Sequence, residues 1–317
     1  MSSGTTGIHH VTAIGGDPQR NVDFYVGMLG LRMVKRTVNF DDPETYHLYY
    51  GDGAASPGSI MTFFPWSDAP LGLQGTGQVT ATTFSIPAES LGYWTQRLID
   101  HGARFEQPQQ RFGETVLSFA DPDGMRLELI ATGDDTREPW QDGTVPAEHA
   151  VRGFHHVTLS ERAPDRTAKL MTETLGFRSI REDEGRYRFE AGEGGPGNLV
   201  DVVDGSGESR GRMGVATVHH VAFRARDDDH QLEIREAVDA LGYDVTPVLD
   251  RNYFHSIYFR EPGGVLFEIA TDPPGFAVDE DPAELGTHLK LPPWLEPKRE
   301  RLESALPPLR VPSGEKT

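Results

Sequence analysis

The chain has 317 residues, 30 Lys+Arg against 49 Asp+Glu and no cysteine, giving a formal net charge of −19 at pH 7. Zero cysteine excludes a disulfide scaffold, a thiolate metal site, an iron–sulfur cluster and a cysteine nucleophile, and leaves any metal to His, Asp, Glu or other oxygen ligands. The acidic balance argues against an electrostatic grip on nucleic acid or on an anionic membrane.

The N-terminal segment has neither a basic start nor a long apolar run, and no stretch approaches the roughly 20 apolar residues that span a bilayer. A soluble cytoplasmic protein is expected. The first β-like run is His9–Ile14, rich in β-branched residues. An amphipathic helix is expected over Pro18–Met28, stopping near Gly30, which suits a left-handed C-cap. The strand Tyr46–Tyr50 follows. The next stretch holds a helix over Glu89–His101 with Gly102 behind it, the strand Thr115–Phe119, and a Pro122-Asp-Gly turn that launches a strand carrying Glu128. His155-His156 opens a third stretch, with a helix over Pro164–Leu175, Gly176, and strands at Tyr187–Phe189 and Leu199–Val203. His219-His220 opens a fourth, with a helix over Asp229–Leu241, Gly242, the strand Ser256–Phe259, and a Pro262-Gly-Gly turn into a strand carrying Glu268. Asp227 to Asp229 is placed to cap the fourth helix.

The chain repeats itself. Gly7-Ile-His-His-Val-Thr returns as Gly153-Phe-His-His-Val-Thr, 146 residues later, and Leu29-Gly30 and Leu175-Gly176 keep the same offset. Glu128 and Glu268 are 140 apart, as are Gly102 and Gly242. A duplicated duplication follows: residues 1–145 hold units at about 6–66 and 77–132, and residues 146–275 hold units at about 152–204 and 216–271. Each unit reads βαβββ, so the fold class is α+β. One such sheet cannot bury its own concave face, and pairing units into two cupped sheets, or open barrels, leaves a cavity inside. Residues 276–317 depart from the repeat and read as a packing arm with a helix over Glu296–Leu306 and a disordered end from Pro312.

The His-His pairs carry the sharpest chemical signal. Two His and one carboxylate make a facial triad that leaves positions open on a divalent metal, typically Fe(II), with Mn(II) also suited. The fourth unit supplies His220 and Glu268; the third ligand is His156 if units pair in sequence order, or His10 if the first and last units pair. Spacing does not choose between them. Asp201 and Glu128 are further strand-borne acids. His47 is read as a strand residue with a structural partner, and His101 and His288 as surface residues. Gly192–Gly197 is not a phosphate loop, because it lacks Lys-Ser/Thr and opens no helix. No Gly-x-Ser-x-Gly elbow appears.

Gly7-Ile-His-His-Val-Thr-Ala, Asn21-Val-Asp-Phe-Tyr25, Lys35-Arg-Thr-Val-Asn-Phe-Asp-Asp42, Tyr46-His-Leu-Tyr-Tyr-Gly-Asp52 and Gly286-Thr-His-Leu-Lys290 together resemble ring-cleaving dioxygenases of the vicinal oxygen chelate superfamily. The resemblance is closest to the hydroquinone 1,2-dioxygenase branch, on the glyoxalase/bleomycin-resistance/dioxygenase fold, and runs from about residue 6 to 300. It implies His10, His220 and Glu268 as metal ligands, with units one and four paired and units two and three paired. It further implies Thr12, His219, Arg251 and Tyr258 around the metal: His219 to move a proton, Tyr258 to hydrogen-bond a substrate oxygen, and Arg251 to stabilise negative charge. A small aromatic diol, O2 and a homo-oligomeric assembly are implied partners. A glyoxalase-like isomerase or lyase, with a second carboxylate such as Glu128 or Asp201 recruited, is the alternative, and a non-catalytic binding or resistance protein is the third reading.

Overall fold

The computed structural model describes residues 4–312. The first unit comprises β1 (Ile8–Gly15), α1 (Pro18–Val22), β2 (Arg32–Asn39), β3 (Asp42–Gly51) and β4 (Ile60–Pro65). The second comprises β5 (Gln78–Pro87), α2 (Leu91–Asp100), β6 (Gln109–Arg111), β7 (Glu114–Ala120) and β8 (Arg126–Thr132). The third comprises β9 (Gly153–Glu161), α3 (Pro164–Glu173), β10 (Arg178–Asp183), β11 (Arg186–Glu190) and β12 (Leu199–Asp204). The fourth comprises β13 (Thr217–Ala225), α4 (Asp228–Asp239), β14 (Leu249–Asp250), β15 (Phe254–Arg260) and β16 (Leu266–Pro274), and α5 (Arg299–Ala305) closes the chain. Every unit is βαβββ, as the repeats predict.

The helices start and stop where local chemistry dictates, with one exception. Asp17 and Asp227 cap α1 and α4 by accepting the backbone N–H of Arg20 and His230. The glycines behind the helices, Gly30, Gly102, Gly176 and Gly242, all have positive φ, between 63° and 84°. At Gly176 a Cβ would also collide with Gly4, 2.6 Å away, so glycine is required twice over. The exception is the expected helix Pro18–Met28. Only its first turn is α-helical; Asp23–Met28 widens into a π-helical turn, with Leu29 N–H donating to Phe24 O at 2.8 Å, five residues back. The wider turn leaves Tyr25 stacked on Tyr50 and donating its hydroxyl to Asp121.

Two eight-stranded sheets result, ordered β14-β15-β16-β13-β1-β4-β3-β2 and β10-β11-β12-β9-β5-β8-β7-β6. Unit one pairs with unit four, through antiparallel β1 and β13, and unit two with unit three, through β5 and β9. The chain segments joining units one to two and three to four are bridged to each other at Leu71 and Val215 and at Leu73 and Arg212. The C-terminal arm is a packing element. Leu291, Leu295, Leu302 and Leu306 join the core, and fully buried Lys35 on β2 is gripped by Asp279 at 2.7 Å and by Glu280. Tyr253 donates to Asp279 at 3.0 Å and stacks on Phe276, so the arm backs the strands that line the first cup. The end beyond Pro312 lies outside the described residues. Among the described residues, no helix is long and apolar enough to cross a membrane.

At the joint between the sheets, two buried carboxyls meet. Glu161 lies against Gly263, and Glu261 accepts from Thr167 at 2.6 Å and from Val265 N–H at 2.8 Å. Both Glu161 oxygens lack a donor among the described residues, and the positive charge of Arg210 acts on them. Burial and the Glu261 charge push the Glu161 carboxyl well above the carboxylate range. The folded state therefore keeps a proton that the unfolded chain releases above about pH 4.3, and stability falls with rising pH by up to about 1.4 kcal/mol per unit. Glu161→Gln is expected to remove this slope, so that the variant gains on the parent in urea unfolding at pH 8 relative to pH 5; equal gaps at both pH values would refute it.

Candidate metal centre

Strand register builds the site. His10 on β1 lies one antiparallel step from β13, where Thr12 faces His220, and Glu268 on β16 is the parallel partner of Ala222 on β13. The three side chains converge on the concave face of the first cup, all buried. His10 Nε2 and His220 Nε2 are 3.3 Å apart, and Glu268 Oε2 is 3.3 Å from the first and 2.8 Å from the second. Ser256 donates to the other carboxylate oxygen. Burial raises the Glu268 carboxyl, and His10 and His220 would hold it below its ordinary value only in their protonated forms.

The doubled histidines explain how the inner rings are fixed. His10 Nδ1 is 2.9 Å from His9 Nδ1, and His220 Nδ1 is 2.7 Å from His219 Nδ1. Two nitrogens at that distance share one hydrogen. With that hydrogen on the inner ring, both Nε2 atoms present lone pairs, and a neighbour on the far nitrogen is the usual way a protein orients a metal-binding His. The lone pairs then face Glu268 Oε2, a buried oxygen that no donor hydrogen meets. Three such acceptors packed together repel one another unless a cation sits between them. The N2O donor set fits a divalent first-row metal such as Fe(II) or Mn(II).

Above the cluster opens a cavity of about 450 Å³. Thr12, His219, Arg251 and Tyr258, the other residues singled out in the sequence, all line it. Burial and the Glu268 charge raise the Tyr258 phenol well above its ordinary value, so it stays a donor. Arg251 holds its guanidinium 5.5 Å over the Tyr258 ring and pairs with Asp41 at 3.2 Å. Asp250, the acid next to it in sequence, instead accepts Asn252 N–H at 2.7 Å. Burial, then His220 and Arg260, push His219 down to about 3, so its ring is neutral at pH 7.

His47 is where the sequence reading falls short. It has structural partners, Thr62 at 2.6 Å and Tyr49 at 2.8 Å, but it also lines the cavity with Tyr49. The pattern Tyr-His-Leu-Tyr-Tyr alternates without telling a cavity face from a packed one, because both are apolar. His101 and His288 are exposed, as expected.

The second cup repeats the strand plan with different chemistry. His155 and His156 pair through Nδ1 at 2.9 Å, as in the first cup. The acids, however, are held by arginines. Arg188 grips Asp201 with two bonds of 2.7 and 3.1 Å, and Arg186 adds a third at 3.0 Å. Arg111 grips Glu128 at 2.8 and 3.1 Å. His156 therefore stands apart from His220, in a cup where guanidinium groups supply the positive charge. Glu128 and Asp201 are not within reach of the first cluster, and the four-ligand set of the isomerase alternative is not assembled from them.

Comparison with known proteins agrees with this architecture. The profile of the Glyoxalase/Bleomycin resistance protein/Dioxygenase superfamily matches residues 7–129 and 153–269. MhqO of Bacillus subtilis strain 168, named as a ring-cleaving dioxygenase, is 46% identical over 314 residues, covering 98% of this chain and 99% of its own. The chlorohydroquinone/hydroquinone 1,2-dioxygenase of Sphingobium indicum is 37% identical, covering 93% of this chain and 94% of its own. A crystal structure from B. subtilis strain 168, named as a dioxygenase, superposes with a TM-score of 0.94 at 45% identity over 98% of this chain and 99% of its own. The matched units are those that carry the two cups, and the chain belongs to the Glyoxalase/Bleomycin resistance protein/Dioxygenase superfamily.

Proposed function

We propose that the protein is a ring-cleaving dioxygenase that opens a hydroquinone- or catechol-type ring with O2, using a divalent metal, Fe(II) in the first instance, held by His10, His220 and Glu268. The observation that carries this reading is the pair of facing imidazole nitrogens and the donor-free carboxylate oxygen at the base of the cavity. The names of the relatives support the substrate class. Such a metal, when bound, supplies positive charge and open positions where a diol oxygen and O2 meet.

The chain's own residues do the rest. Phe40, Phe64, Trp66 and Phe254 give the cavity apolar walls that seat an aromatic ring and keep bulk water away. Tyr258 remains protonated and donates to an oxygen that is losing its proton. Arg251 adds a fixed positive charge on the same side. His219 is neutral, and because its Nδ1 accepts the hydrogen of the His220 ring, its outer nitrogen carries the hydrogen and can donate it to an oxygen in the cavity. Thr12 presents a hydroxyl beside the metal ligands.

After anaerobic Fe(II) reconstitution, the protein is expected to consume O2 when given a member of a dihydroxybenzene panel that includes hydroquinone and catechol. Absence of uptake with every member would sink the proposal.

A further inference from the structure

A single row of hydroxyl and imidazole groups crosses the first cup, from the opposite wall to the metal-binding residues. Register sets it: Tyr49 on β3 pairs with Thr62 on β4, and Thr62 pairs with Thr12 on β1. His47, two residues before Tyr49, stands on the same face of β3 and closes the row. The links are Tyr49 OH to His47 Nδ1 at 2.8 Å, His47 Nε2 to Thr62 Oγ1 at 2.6 Å, and Thr62 Oγ1 to Thr12 Oγ1 at 3.3 Å.

Such a row has two possible directions, and the hydrogen count chooses between them. Burial, with His10, His220 and Arg251 beyond, holds His47 well below its ordinary value, so its ring is neutral and carries one hydrogen. Burial also keeps Tyr49 a phenol. If Tyr49 donates to His47 Nδ1, then His47 Nε2–H donates to Thr62, Thr62 donates to Thr12, and the Thr12 hydrogen is left for the cavity. In the reverse direction Thr12 turns a lone pair to the cavity, and the Tyr49 hydrogen, in a side chain 1% exposed, loses its acceptor. An unmet buried donor is the costlier arrangement.

We infer that Tyr49 and His47 are positioning residues that make the Thr12 hydroxyl a one-way donor into the cavity, so that the site selects the deprotonated phenolate oxygen of its ligand over a neutral hydroxyl. The inference rests on the reading of this cavity as an aromatic-diol site. Its device is separable from that reading, because the direction of the row is a property of the protein alone.

Two measurements test it. In the Zn(II)-loaded protein labelled with 15N-histidine, long-range proton–nitrogen correlation is expected to show His47 with its hydrogen on Nε2; a hydrogen on Nδ1 overturns the inference. In anaerobic titrations of the metal-loaded protein with 4-nitrocatechol, whose spectrum reports its ionisation, Thr12→Ala is expected to weaken binding by about 10- to 100-fold, the scale of one hydrogen bond to a charged oxygen. Tyr49→Phe is expected to weaken it too, and the double variant no further than Thr12→Ala, because both substitutions remove the same bond. Additive losses, or no effect of Tyr49→Phe, overturn it. If 4-nitrocatechol does not bind the unsubstituted protein at all, the aromatic-diol reading fails while the tautomer result still decides the direction of the row.

Discussion

Glu268→Gln and His10→Ala are expected to reduce metal retention after Fe(II) or Mn(II) reconstitution from one ion per chain to background, whereas His156→Ala leaves it at one. The contrast follows from position, since His10 and His156 both sit in the local sequence His-His-Val-Thr. His10 shares its cup with His220 and Glu268, at 3.3 Å from each; His156 shares its cup with Arg186 and Arg188. Losing a group that merely supports a ligand already costs about 10–100-fold in affinity, so losing a ligand costs more. Metal analysis after desalting reads the stoichiometry directly. Thermal denaturation reads it a second way: a ligand at 100 times its dissociation constant adds about 2.7 kcal/mol of stability to the parent and none to the variants.

A purely structural role for Glu268 makes a different forecast. Were it an ion-pair partner of a protonated His, Glu268→Gln would weaken the metal-free protein strongly, as removing one member of a buried pair does. As a metal ligand it is, without metal, a buried carboxylate with one oxygen unmet. Neutralising it then costs the metal-free protein little or nothing. Metal-free stability much reduced by Glu268→Gln, with metal uptake intact, would refute the assignment.

The sequence made the four units, their helix ends and the doubled histidines legible because these are local: a C-cap glycine or a β-branched run carries its reason within a few residues. The pairing of units is not local. The closely similar flanks of His10 and His156 give spacing nothing to distinguish, and it is the resemblance to a known branch that favours His10. The π-helical turn at Asp23–Met28 also stayed hidden, since the partners of Tyr25 within it, Tyr50 and Asp121, are distant in sequence. His47 reads as a strand residue with a structural partner, which it is, but its place on the cavity wall is not legible because a cup, unlike a solvent-facing sheet, is apolar on both faces. The arginines of the second cup were missed for the converse reason. Arg186-Tyr-Arg188 reads as an ordinary solvated strand, yet Arg188 is 2% exposed.

Those arginines set the second large expectation: Arg188→Met destabilises the fold by about 3–5 kcal/mol at neutral pH, the range for stripping one partner from a buried ion pair. Arg188 makes two bonds to Asp201, which is fully buried, and a third to Glu114 at 2.7 Å. Burial would raise the Asp201 carboxyl, but His156, Arg188 and Arg186 together keep it ionised well below its ordinary value. Without Arg188 that charge keeps only Arg186 at 3.0 Å and His156 at 3.4 Å. Removing the charge as well should relieve most of the loss, so Arg188→Met/Asp201→Asn is expected to recover more than half of it in urea unfolding. Metal uptake stays at one ion per chain in both variants, because the first cup does not share these residues. A second ion in Arg188→Met would mean that the arginine had been occupying a competent metal site; a loss as large in the double variant as in the single would mean that Arg188 acts through packing and not through charge.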